Sequence, residues 1–62
     1  MDEAPTRMEW IERFARRLLQ VRPSMNSVTA ATHAVEAHLA AADAVPESEA
    51  ERFAEARYPM SP

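Results

Sequence analysis

The chain has no glycine in 62 residues. Phosphate-binding loops, dinucleotide turns and tight hairpins rely on backbone conformations that glycine adopts most readily, so none of these is expected. The punctuation that remains is proline, at positions 5, 23, 46, 59 and 62. Between the prolines, apolar residues recur at three- and four-residue spacing, the helical period, and no segment alternates as a strand does. The expected fold is all-α: a helical hairpin plus a short third helix, a small three-helix bundle forming one domain over residues 1–62.

The first helix is predicted over 6–22. Thr6 and Glu9 form a capping box, in which the hydroxyl accepts from the Glu9 amide and the carboxylate reaches back. Met8, Ile11, Ala15 and Leu18 line one side, and Trp10, Phe14 and Leu19 widen the apolar stripe. Glu9 with Arg13, and Glu12 with Arg16, are expected as i,i+4 ion pairs. Pro23 forces Arg22 out of the helical region and ends the element.

The second helix is predicted over 25–44, capped by Ser24 or Asn26. At about 100° per residue, Met25, Val28, Thr32, Val35, Leu39 and Ala42 share one seam, with Ala30, Ala34, Ala37, Ala41 and Ala44 opposite. Only Thr29, His33, Glu36, Ala40 and Asp43 form a stripe suited to water. A helix apolar on two sides is buried between two neighbours. One is the first helix, and the alanine side is expected to meet a second copy of the chain, with Ala30, Ala34, Ala37, His38 and Ala41 as the candidate self-association residues. The third helix, predicted over 47–58, opens at Pro46 or at Ser48, where Ser48-Glu49-Ala50-Glu51 offers another capping box. Val45, Ala50, Phe53, Ala54 and Tyr58 give it an apolar edge, Pro59 stops it, and both termini are expected to fray.

Composition narrows the function. Thirteen alanines against sixteen larger apolar residues make a thin core, and a chain this short hides only about 60% of its unfolded surface, so a partner would add stability. The absence of cysteine removes disulfides, thiolate metal sites and thiol nucleophiles. All seven basic residues are arginine, which with the many alanines points to a GC-rich, bacterial coding sequence. The acidic start without an apolar core segment, and the lack of any apolar run near 18 residues, point to a cytoplasmic protein away from membranes.

Two constellations invite a chemical reading. His33, Glu36 and His38 sit in one run, but the five-residue step between the histidines turns about 140° around the helix, so the three cannot converge on one ion. His33 is expected to face water beside Glu36, and His38 to lie partly buried at a helix contact, with a pH-sensitive contact as the other reading. Arg13, Arg16 and Arg17 form the one candidate phosphate-contacting face, set against a net charge of -3. No catalytic residues, metal or cofactor are expected. The function that follows is a small non-enzymatic protein–protein interaction or assembly module acting as a homodimer. The alternative is a nucleic-acid-binding or antitoxin-like regulator using those arginines, and nucleic acid is the less favoured partner.

Overall fold

The computed structural model describes residues 5–57. They form three helices, α1 (Arg7–Val21), α2 (Ser27–Ala41) and α3 (Pro46–Arg57), with no strand among the described residues, so the three-helix architecture is as expected. Tyr58 and the rest of the tail lie outside the described residues.

Local chemistry sets most helix ends. The Thr6 hydroxyl accepts from the Glu9 amide at 3.1 Å and the Glu9 carboxylate accepts from the Thr6 amide at 2.9 Å, the reciprocal capping box. The Arg22 amide donates to the Leu18 carbonyl at 2.7 Å before Pro23 closes α1. Asn26 caps α2, its Oδ1 accepting from the Val28 amide at 2.7 Å. Both ends of α2 differ from the predicted 25–44, and it starts at Ser27, after the Asn26 cap. α2 stops at Ala41, because the chain turns through Ala42–Ala44 and the Ala44 carbonyl accepts from the Trp10 indole at 2.9 Å. α3 starts at Pro46, whose fixed φ suits the first helical position, so Ser48 lies inside the helix and the Glu49 amide donates to the Val45 carbonyl.

The core is three rows of side chains at four-residue spacing. Trp10, Phe14 and Leu18 of α1 are buried, facing Ala30 and Ala34 of α2 and Ala50 and Ala54 of α3, with Pro46 extending the last row. Large residues on one helix meet small ones on the other two, so volumes match while backbones come close. α1 is therefore the central helix, packed against both others, while α2 and α3 barely touch each other. Arg13 pairs with Glu47 and Arg17 with Glu51, a constant offset that makes α1 and α3 run parallel. α2 runs antiparallel to both, since Trp10 near the start of α1 meets His38 near the end of α2.

Aromatic rings thread this core. Phe14 stacks on Trp10 at 5.5 Å between centroids, His38 meets Trp10 edge-on at 5.3 Å, Phe53 meets Phe14 edge-on at 6.0 Å, and His33 tilts onto Phe53 at 4.7 Å. The two histidines thus end a continuous ring ladder, and edge-to-face contacts of this kind add to the area they bury.

Candidate functional site

The structure places the alanine side of α2 inside the chain. Ala30 and Ala34 have no exposed surface, so they are not presented to a second copy. The cause is Trp10, Phe14 and Leu18, which need small partners to lie against. Ala37 packs against the edge of this core, Ala41 lines a cleft toward α3, and His38 is half-buried on Trp10. The opposite seam is left uncovered: Val28 is 72% and Leu39 78% exposed, Thr32 is exposed between them and Val35 half-covered.

α1 carries an apolar patch of its own. Met8 is 73% exposed and, with Ile11, Arg7 and Glu12, lines a shallow hollow of about 350 Å³. Met8, Ile11, Ala15 and Leu19 lie on the side of α1 opposite Arg13 and Arg17 by the helical repeat, hence away from α3. The antiparallel pairing of α1 with α2 brings Met8 to the end of the molecule that carries Leu39. The side of the α1–α2 hairpin turned away from α3 is therefore largely apolar. From Pro23 to Ala42 the chain has one formally charged residue, Glu36, and Glu36 lies toward the α3 side.

A second feature has no local signature in the sequence. Because α2 and α3 stand apart, a cleft of about 360 Å³ opens between them, floored by Phe14, Phe53 and small residues including Ala37, Ala40 and Ala56. His33, expected in water, sits on its wall with its side chain 18% exposed because Phe53 covers it. His33 Nδ1 is buried with no hydrogen-bond partner among the described residues, and the Glu36 carboxylate is 3.7 Å away. Glu49 and Arg52 form the opposite rim, paired at 3.3 Å. No local periodicity signals this cleft, since it depends on how far apart two alanine-rich helices settle on a third.

The candidate phosphate-contacting arginines have other partners. Both Arg13 donors, Nε and Nη2, reach the two Glu47 oxygens at 2.8 Å, and Arg17 donates to Glu51 and, at 3.0 Å, to Gln20. Arg16 is exposed and is the member of the trio without such a carboxylate partner among the described residues. The i,i+4 pairing expected for Glu9 and Arg13 gives way to these contacts: Glu9 serves the capping box and Arg13 crosses to α3, where a planar fork meets a carboxylate in bidentate geometry.

The Arg13 hydrogen bonds hold the Glu47 carboxyl below its ordinary value near 4.5, against a smaller opposing effect of desolvation. A carboxyl with a depressed folded pKa contributes stability that is present above its unfolded pKa and is lost as pH falls through the folded one. Wild-type and Glu47→Gln chains should therefore differ at neutral pH and converge in acid, below about pH 4.5. Urea denaturation at a series of pH values checks this; a difference that persisted unchanged at the acid end would show that the carboxylate is not its source.

Among the described residues no three His, Asp or Glu side chains gather as a metal site, and no described helix is long and apolar enough to cross a membrane. Comparison with protein-family models, curated proteins and solved structures finds no match.

Proposed function

We propose that the chain is a small non-enzymatic assembly module that self-associates through the side of the α1–α2 hairpin turned away from α3. The observation that carries this reading is the uncovered seam, with Val28 and Leu39 more than two-thirds exposed on a stretch almost free of charge. Interface centres are depleted of charged residues. A two-fold interface sets a patch against itself, so a patch without net charge suits a second copy, where a charged one would repel its own image. A standard interface takes about 800 Å² from each partner, roughly a sixth of the 4638 Å² the chain exposes. The four-three-four spacing of Val28, Thr32, Val35 and Leu39 suits packing against another helix.

The regulator reading draws less support, because Arg13 and Arg17 lie in ion pairs and leave Arg16 as the free member of a phosphate-contacting face. Sedimentation equilibrium of wild-type and Leu39→Glu chains tests the self-association proposal. The wild type is expected at twice its 7.0 kDa mass at high micromolar concentration, and the variant at the single mass, with unchanged helical circular dichroism. A wild type that stays monomeric there overturns the proposal, as does a variant that dimerises equally well.

A further inference from the structure

We propose that the cleft between α2 and α3 receives an amphipathic helix of a partner protein, one with a stripe of small and medium apolar residues flanked by Lys or Arg. α2 and α3 both lie on α1 and run antiparallel to each other with little contact between them, which leaves the fourth position of a four-helix arrangement open. Ala37, Ala40 and Ala56 in the lining give an incoming backbone room to approach, while Phe14 and Phe53 supply apolar area. α3 has 12 residues, about 18 Å of length, enough for anchors at i, i+4 and i+7 of an incoming helix.

Charge selects the occupant. One carboxylate stands on each rim, Glu36 on α2 and Glu49 on α3. Among the described residues, the ion-pair partner of Glu36 is His33 alone, at 3.7 Å, outside hydrogen-bond range. The Glu49 partner Arg52 is 80% exposed, whereas Glu49 itself is only 21% exposed, so a basic residue of an incoming helix can take the place of Arg52. The buried His33 Nδ1 also lacks a hydrogen-bond partner among the described residues, and buried polar atoms of this kind are rarely left so. A second copy is a poor occupant, because the uncovered seam of α2 has no Lys or Arg between Pro23 and Ala42. The cleft and the self-association seam lie on different sides of α2, so each can be tested with the other intact.

The test uses two synthetic peptides of about 20 residues, long enough to form helix, with Leu at helical spacing and either Lys or Glu along both flanks. Labelled peptide is titrated with the full chain, and the bound site is mapped by NMR. The Lys peptide should bind at least about tenfold tighter than the Glu peptide and shift Ala37, Ala40 and Ala56. Glu36→Lys with Glu49→Lys should reverse the preference, and Leu39→Glu should leave it unchanged. Because Glu49 lies in the first turn of α3, Glu36→Lys alone, at a side chain 67% exposed, serves if the double variant loses helix; it should at least narrow the preference. Equal binding of both peptides, shifts confined to Val28 and Leu39, or no saturable binding at about 100 μM would overturn the proposal.

Discussion

Phe14→Ala is expected to abolish most of the stability of the fold. The ring has no exposed surface, stacks on Trp10, meets Phe53 edge-on, and floors the cleft between α2 and α3. Removing a buried phenyl group costs about 3–5 kcal/mol through lost transfer energy and the cavity left behind. At about 0.05–0.15 kcal/mol per residue, a chain of 62 residues has roughly 3–9 kcal/mol in total, so the loss is comparable with the whole. The alanines around the site are too short to collapse into the space. Urea denaturation followed by helical circular dichroism should show the variant largely unfolded before denaturant is added, or with a midpoint close to zero. A loss below about 1.5 kcal/mol, the scale of a volume-conserving swap, would contradict the central position given to Phe14.

Ala34→Leu is the complementary change and is expected to destabilise by overfilling. Ala34 is fully covered on the row that faces Trp10, Phe14 and Leu18. Added methylenes in a filled core force off-rotamer side chains and backbone shifts, at about 1–3 kcal/mol. In a domain of this size each kcal/mol moves the melting midpoint by about 4–8 °C, so the midpoint should fall by on the order of 10 °C. Ala40→Leu, on the same helix but exposed in the cleft, should leave it nearly unchanged. Equal midpoints for wild type and Ala34→Leu would mean that α1 and α2 are not held together by the fit of large rows to small ones.

These two positions show where the sequence was legible. Trp10 and Phe14 were legible as part of the apolar stripe of α1, whereas Met8, on the same stripe, is 73% exposed. The Thr6–Glu9 capping box was equally plain, since all its atoms lie within one turn. The buried side of α2 was not legible from its own residues. Alanine occurs all around that helix, and a residue of its size is compatible with core, cleft and surface alike. Which side turned inward was decided on α1, by the volumes of Trp10, Phe14 and Leu18. The same holds for the arginines: the helix offered Arg13 a partner four residues away, and the fold offered Glu47, thirty-four residues away, once α1 and α3 lay parallel. His33 is covered where its own helix suggests exposure for the same reason, because the ring that covers it, Phe53, belongs to another helix.

The proposed self-association face is the one which that inward turn leaves uncovered, and an isotope-filtered NOE spectrum of a mixture of labelled and unlabelled chains tests the proposal most directly. At concentrations where sedimentation gives the doubled mass, the account predicts intermolecular contacts among the methyl groups of Val28, Val35, Leu39 and Met8, with none from Ala30 or Ala34. Intermolecular contacts from the alanine row, or a spectrum without any intermolecular contacts at high micromolar concentration, would contradict it.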